Sequence, residues 1–252
     1  MKAGVLRVLA ILFFALSACG LARAEGGAVV IAVTDGGPDV HPGDEIGNAD
    51  ILEIPDGASV TLIRQDGEVL HIEGPHDGPL DLGEVEEGAD GDWGAVSIFL
   101  TGPDGQSTAL GAARRPEAGA DIPGQPTVWQ VSVDSSGPRC SPVDHVELWR
   151  RAADEAVTVS ARNQNGRLGA LEWKAGEHSL VLPDSLQVSE GQLIVSLGDG
   201  VRKLDIVPVS QDVMQSRPGE LLTWLIEHKC HRQARSLIDA LHASSSGRVV
   251  AE

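Results

Sequence analysis

The sequence has few cations and few aromatic residues. Its 252 residues include 19 Lys and Arg against 37 Asp and Glu, which gives a formal net charge of -18 and a pI near 4.7. Because a nucleic-acid backbone is bound through clustered cations, this balance argues against a nucleic-acid-binding protein. Tyr is absent and there are three Phe and five Trp, so aromatic core packing must come mainly from Trp. A hydrophobic content of 42% and a mean hydropathy of -0.03 are typical of a globular chain.

The short motifs that mark common catalytic sites are also missing. There is no Gly-x-Ser-x-Gly turn, no Ser-x-x-Lys at a helix start, no His-Glu-x-x-His and no glycine-rich phosphate loop. We therefore expect a protein that is not an enzyme, with no catalytic residue and no cofactor.

An apolar run lies near the N-terminus. Lys2 and Arg7 precede the uncharged residues 8–18. This arrangement is typical of a secretory signal peptide, because a transmembrane helix needs about 20 apolar residues. Cleavage after Ala24 would remove residues 1–24, and no transmembrane span is expected elsewhere.

A second cleavage pattern overlaps the first. Leu16-Ser17-Ala18-Cys19 resembles a bacterial lipobox, in which residues 1–18 are removed and Cys19 is lipidated. Acyl chains contribute about 0.8 kcal/mol per buried methylene, so a lipid on Cys19 would hold the chain on a membrane. Both patterns predict export to the periplasm, and the lipobox adds an anchor in the outer membrane.

Two further cysteines are present, Cys140 and Cys230. Because thiols oxidise after export, we predict a disulfide between them, worth roughly 4 to 5 kcal/mol on the chain-entropy model. The alternatives are two free buried thiols, or a metal site made by His228, Cys230 and His231. Neighbouring ligands on one short helix do not easily converge on one ion, which argues against the metal site.

The charge is confined to one part of the chain. Residues 25–104 contain 19 acidic residues against one base, Arg64, whereas residues 105–252 contain 18 acidic and 15 basic residues. Such asymmetry indicates two regions with different surfaces. The sequence predicts an acidic β-domain over 25–101 and a linker rich in Gly, Ala and Pro over 102–126.

Two alternating runs in the acidic region flank Asp66-Gly67. This pattern predicts a β-hairpin with a type I′ turn. The segment resembles the repeated hairpin of FecR-like extracytoplasmic domains in the residues Ala58-Ser59-Val60-Thr61-Leu62-Ile63-Arg64-Gln65-Asp66-Gly67-Glu68-Val69-Leu70. The resemblance implies a β-domain, but not the transmembrane signalling of familiar FecR regulators, because an export signal stands first in this chain. Apolar residues at helical spacing from Trp93 to Leu100 predict a short helix after it, although Val96, Ile98 and Leu100 also alternate as in a strand.

About seven short strands are predicted over 127–210, punctuated by turn residues in the rhythm of an antiparallel β-sandwich. They are Val128 to Val133, His145 to Arg150, Val157 to Ala161, Gly169 to Lys174, His178 to Leu182, Gln192 to Leu197 and Lys203 to Val209. Trp129, Trp149 and Trp173 fall on inward-facing positions, so we expect them in the core. A ligand-stacking platform is the alternative.

Helical periodicity replaces strand periodicity over 211–246, before a tail at 247–252. Pro218 suits a first helical position, and two apolar stripes follow, separated near Cys230. Two such short helices are not stable alone in water, so we expect a helical hairpin packed on the sandwich. The predicted fold is thus mainly β: an N-terminal β-domain and an antiparallel sandwich closed by a two-helix hairpin.

Side chains in the acidic region offer candidate metal ligands. Hard oxygens for Ca²⁺ could come from Asp90 and Asp92, or from Asp35, Asp39, Asp44 and Glu45. Three histidines could hold a transition metal, namely His41, His71 and His76. Solvated acids and exposed histidines explain the same residues without any metal, and we predict no metal site.

These observations favour a non-enzymatic exported protein with a binding or scaffolding role in the periplasm. The acidic β-domain is expected to recruit a basic envelope protein, although solvation alone would explain the same composition. One alternative is an enzyme acting on cell-wall or polysaccharide material through a carboxylate pair among Glu86, Glu87, Asp90 and Asp92. Another is a lipoprotein sensor that regulates envelope signalling.

Overall fold

A computed structural model describes residues 27–34, 36–48, 50–64, 66–82, 93–103, 125–142, 144–198 and 200–245. Several predicted features lie outside these residues: the signal peptide with Cys19, most of the linker, the tail, and the acidic candidates Asp35, Glu86, Glu87, Asp90 and Asp92. The described part is mainly β, with several antiparallel sheets and a C-terminal helix pair, as the sequence predicts. None of its helices combines the length and the apolar character needed to span a membrane.

Six strands and a helix form the N-terminal half of the described chain. They are β1 (Gly27–Val33), β2 (Glu45–Gly47), β3 (Ile51–Ile54), β4 (Ser59–Arg64), β5 (Val69–Glu73), β6 (His76–Pro79) and α1 (Trp93–Thr101). An antiparallel sheet has the order β2-β1-β4-β5, and β3 pairs separately with β6. The predicted short helix is confirmed as α1.

The β4–β5 hairpin is confirmed, but its turn is not type I′. A type I′ turn requires positive φ at both central residues. Gly67 has a φ of 80°, but Asp66 is not among the described residues with positive φ. Hydrogen bonds from Gly67 N–H to Arg64 O (2.9 Å) and from Arg64 N–H to Glu68 O (2.8 Å) close a three-residue loop. A glycine at the last position of such a loop is typical of this longer hairpin connection.

Eight strands form the sandwich. They are β7 (Val131–Ser132), β8 (Gly137–Ser141), β9 (Glu147–Trp149), β10 (Val157–Arg162), β11 (Arg167–Trp173), β12 (Ser179–Val181), β13 (Gly191–Leu197) and β14 (Gly200–Pro208). One sheet has the order β11-β10-β13-β14-β8 and the other β12-β9-β7, with parallel pairing only at β14–β8 and β7–β9 among the described strands. Apolar side chains from both sheets fill one core between them.

Each of the seven predicted strands overlaps an observed one, although the first is reduced to the two residues of β7. The eighth strand, β8, was not predicted because its sequence, Gly-Pro-Arg-Cys-Ser, lacks the β-branched residues that favour strands. Trp149 and Trp173 are buried in the sandwich as predicted. The prediction for Trp129 is wrong: it lies in a turn and packs, half-buried, against the helical core.

Three helices end the described chain: α2 (Gln211–Met214), α3 (Pro218–Glu227) and α4 (His231–Ser245). The predicted hairpin of α3 and α4 is confirmed, whereas α2, a single turn capped by the Ser210 side chain, was not predicted. The chain reverses at Lys229, whose φ is 60°.

The predicted packing of the helical hairpin on the sandwich is wrong. The hairpin packs mainly on the N-terminal sheet. One core contains Val29, Ile31 and Ile63 from the sheet, together with α1 and the apolar stripes of α3 and α4. The sandwich contributes Cys140 of β8 and the residues at the end of β14. Because alternate residues of β1 and β4 point to opposite faces, the other face of the sheet packs against β3 and the leucines that follow β6 in a separate core.

Candidate functional site

The surface of the N-terminal sheet region is strongly acidic. Between residues 27 and 82 the exposed acidic side chains are Asp39, Glu45, Asp50, Glu53, Asp56, Glu68, Glu73, Asp77 and Asp81. Arg64, the sole Lys or Arg in this range, is mostly buried and already forms ion pairs with Asp66 and with Glu68, the latter at 3.3 Å. The region therefore presents negative charge to solvent with little positive charge of its own.

The β3–β6 ribbon concentrates this character. Its ladder places Glu53 directly opposite Asp77, and Ile51 directly opposite Pro79. All four side chains are exposed, with Ile51 at 77%, because the intervening Leu52 and the following Ile54 take up the core-facing positions. We call Ile51, Glu53, Asp77 and Pro79 the acidic ribbon face. Like charges directly opposite each other on a ladder destabilise it, so this surface favours the approach of a cation.

The three histidines of the same region do not converge. His41 is exposed beside Asp44, which accepts the His41 backbone N–H at 2.7 Å. His71 lies under α4, and His76 pairs across the ribbon with Ile54. Asp39, Asp44 and Glu45 do not form a cation site either: across the described ranges no three side chains of His, Cys, Asp or Glu come together as metal ligands.

Cys140 and Cys230 are joined in a disulfide, with their Cα atoms 5.8 Å apart. The flanking histidines that were weighed as metal ligands have other contacts. His228 stacks on Trp224 at 4.0 Å and hydrogen-bonds its backbone carbonyl, and His231 packs against Phe99. The disulfide thus ties the α3–α4 bend to strand β8.

A buried polar cluster joins α4 to the sheet. The hydroxyl of Thr61 lies 3.0 Å from Nδ1 of His71 and 2.9 Å from Nδ1 of His242. Nε2 of His71 lies 3.6 Å from a carboxylate oxygen of Glu73. Thr61 is fully buried and the His71 side chain is 4% exposed. A hydroxyl, an imidazole and a carboxylate in a row resemble a nucleophilic triad, but a fully buried hydroxyl cannot reach a substrate.

Burial changes the acid–base behaviour of this cluster. It lowers the pKa of His71 below its ordinary value of 6.5, although the Glu73 carboxylate partly opposes the change. It also lowers the pKa of His242, and the neighbouring charge of His71 lowers it further. Both imidazoles are therefore held neutral at pH 7. His242 was not predicted as a member of this cluster, because it lies far along the chain from Thr61 and His71.

Two buried arginines organise the sandwich. Arg150 donates to the backbone carbonyls of Glu155 and Lys174 at 3.0 and 2.7 Å, and its guanidinium lies 4.8 Å from the ring of Trp173. Arg139 donates to the carbonyls around the β7–β8 turn, and burial lowers its pKa to about 10. Both remain cationic at pH 7, and both hold turns in place.

A cavity of about 310 Å³ opens beside the β12–β13 connection. Its lining includes core side chains such as Leu182 and Leu186, with Asp144 and Asp184 exposed beside them.

Comparison with protein-family models, curated proteins and solved structures finds no match for this chain.

Proposed function

We propose that this protein is a non-enzymatic binding or scaffolding protein of the periplasm that recruits a basic envelope protein through its acidic β-domain. The observation that carries the proposal is the acidic ribbon face, where Glu53 and Asp77 stand opposite each other and both are exposed. A lysine or arginine of a partner placed between them would relieve their repulsion. Export is part of the proposal and is supported by the apolar run at residues 8–18 with the cations before it. Anchoring in the membrane would require a lipid on Cys19.

The ribbon face combines charge with apolar surface. Ile51 and Pro79 lie beside the two carboxylates and are exposed. Apolar contact supplies affinity in protein interfaces, whereas surrounding charges mainly set the partner and the rate of association. A basic partner with an apolar residue next to its cation fits this surface best.

The FecR-like character of the β-domain belongs to the same proposal. It is supported by the β4–β5 hairpin at the position where the resemblance was recognised. In this proposal the hairpin belongs to the framework, since its turn packs against α3, and the ribbon beside it provides the binding surface.

Affinity capture from an envelope fraction tests the proposal. The full-length tagged protein is expected to retrieve a stoichiometric basic partner at low salt, and to lose it as salt screens the charges. The double variant Glu53→Gln, Asp77→Asn should lose the partner. Asp154→Asn, Glu155→Gln removes the same charge from exposed positions of the sandwich and should retain it. Failure to retrieve any partner, or equal loss in both variants, contradicts the proposal.

A further inference from the structure

We propose that Thr61, His71 and His242 form an acid-sensitive clasp that holds the C-terminal half of α4 on the sheet at neutral pH and releases it in acid. This inference is independent of the proposed binding function. It starts from the geometry of one hydroxyl placed between two imidazole nitrogens on different elements.

The hydrogen-bond inventory of the cluster requires at least one of the two histidines to be neutral. A hydroxyl has one proton, so Thr61 can donate to one Nδ1 and must accept from the other. Glu73 beside Nε2 of His71 favours a proton on that nitrogen, which leaves Nδ1 of His71 as the acceptor. Nδ1–H of His242 then donates to the Thr61 oxygen, so that the hydroxyl donates to one imidazole and accepts from the other.

Protonation of both imidazoles breaks this pattern. With both imidazoles charged, both Nδ1 atoms carry protons, and the Thr61 hydroxyl proton has no acceptor between them. The two charges would also face each other with ring centroids 6.1 Å apart in a site from which water is largely excluded. Glu73 can compensate a charge on His71, which it approaches at 3.6 Å. A second proton, added when one imidazole is already charged, is therefore the costly one.

Within the described residues, the charged groups around the clasp can be named element by element. β1 and α1 contain no ionisable side chain, and Arg64 at the end of β4 is committed to its own ion pairs. Arg235 and Asp239 precede His242 on α4 by two turns and one turn. The remaining charged groups on or next to the elements packed against α4 are Glu68 just before β5, Arg139 on β8, and Glu220 and Glu227 on α3.

The other end of α4 is fixed independently of pH. The disulfide at Cys230 and the Gln233 side chain, which pairs with the backbone of Cys140, hold its first turn on β8. Release at His242 would thus free the distal turns while the first turn stays attached. It would uncover Leu241 and Ile238, which pack against the sheet side of the core.

The sign of the pH dependence follows from linkage. Both histidine pKa values are lower in the folded clasp than the ordinary 6.5, so the open form binds more protons below that pH. The clasp is complete above about pH 6.5 and is lost as the pH falls. Between pH 6.5 and 5.5 the opening equilibrium should rise up to about fivefold if one histidine is linked and up to about thirtyfold if both are.

Hydrogen exchange of the full-length protein measures this opening. After correction for intrinsic rates, amides over 236–245 should gain exchange on acidification, while those of α3 and β13 should not. The variants His71→Asn and His242→Asn place an amide where each Nδ1 hydrogen-bonds but do not titrate, so each should flatten the pH profile. His145→Asn, at an exposed position of the sandwich, should leave it unchanged.

A second measurement needs no variant. Exchange at the histidine C2 hydrogen, followed by mass spectrometry, reports the titration of each imidazole, and the pKa values of His71 and His242 should both lie below the ordinary value of 6.5. The proposal is overturned if either pKa lies at or above that value. It is also overturned if the 236–245 profile is flat in the wild type, if α3 and β13 open together with it, or if the asparagine variants retain the wild-type profile.

Discussion

The side chain of Gln233 forms two hydrogen bonds with the backbone of Cys140. Its Oε1 accepts the Cys140 N–H at 3.3 Å, and its Nε2 donates to the Cys140 carbonyl. A primary amide presents the same donor and acceptor pair as a neighbouring strand, so Gln233 occupies the open edge of β8 as a strand would. Both residues are buried, and the edge of the sheet is thereby closed by a helix.

Replacing Gln233 with Ala should destabilise the protein by about 2 kcal/mol. A buried N–H and a buried carbonyl lose their partners, and the cost of leaving such groups unsatisfied exceeds the net value of the hydrogen bonds themselves. Urea unfolding followed by circular dichroism measures the change. Gln187→Ala, at an exposed loop position, is the matched control and should change stability by less than about 0.5 kcal/mol. Equal effects of the two substitutions would contradict this role for Gln233.

Reduction of the disulfide should lower the free energy of unfolding by about 4 kcal/mol. The bond joins residues 90 positions apart and so restricts the unfolded chain. The double variant Cys140→Ser, Cys230→Ser should match the reduced wild type. Guanidinium unfolding with and without reductant provides the comparison. A variant as stable as the oxidised wild type would show that native contacts alone hold the α3–α4 bend on β8.

Substituting Ala for Gly219 should destabilise the protein by about 1 to 3 kcal/mol. A Cβ there would lie 2.6 Å from the Cα of Gly67 and 2.7 Å from the ring of Trp93. Gly219 N–H also donates to the carbonyl of Gly67 at 3.1 Å, so the two backbones cannot move apart without losing that bond. Thermal unfolding tests the effect, with Gly169→Ala as control, since a Cβ at Gly169 meets open space. A neutral Gly219→Ala would mean that the β4–β5 turn and α3 are not in close contact.

Local patterns predicted most of the elements. Period-two alternation located the sandwich strands and the β4–β5 hairpin, and helical stripes located α3 and α4, because in each case one face of the element is buried. Elements with little hydrophobic pattern of their own were missed. β8 is held by its parallel neighbour β14 and by Gln233, and neither partner is close to it in sequence.

Contacts between distant segments could not be predicted in the same way. The apolar stripe of α4 shows that it must be buried, but not whether the covering surface is the sandwich or the N-terminal sheet. His71 has a visible place on an alternating strand, whereas its partner His242 is 171 residues away, and nothing in either neighbourhood signals the pairing. The acidic composition was evident from the sequence, but the opposition of Glu53 and Asp77 depends on the register of β3 and β6.

Because β3 and β6 place Glu53 opposite Asp77, one substitution at Glu53 can separate an effect on stability from an effect on binding. Glu53→Lys converts a like-charge cross-strand pair with Asp77 into an opposite-charge pair, which should stabilise the ribbon by about 0.2 to 1 kcal/mol. The same change places a cation at the centre of the proposed binding surface and should abolish capture of a basic partner. Added salt should stabilise the wild type more than the variant, because screening relieves a repulsion in one and weakens an attraction in the other. Urea unfolding at low and high salt, together with affinity capture, measures both effects. A substitution that weakened binding only because it damaged the fold would lower stability, so a gain in stability with a loss of binding assigns the effect to the surface charge.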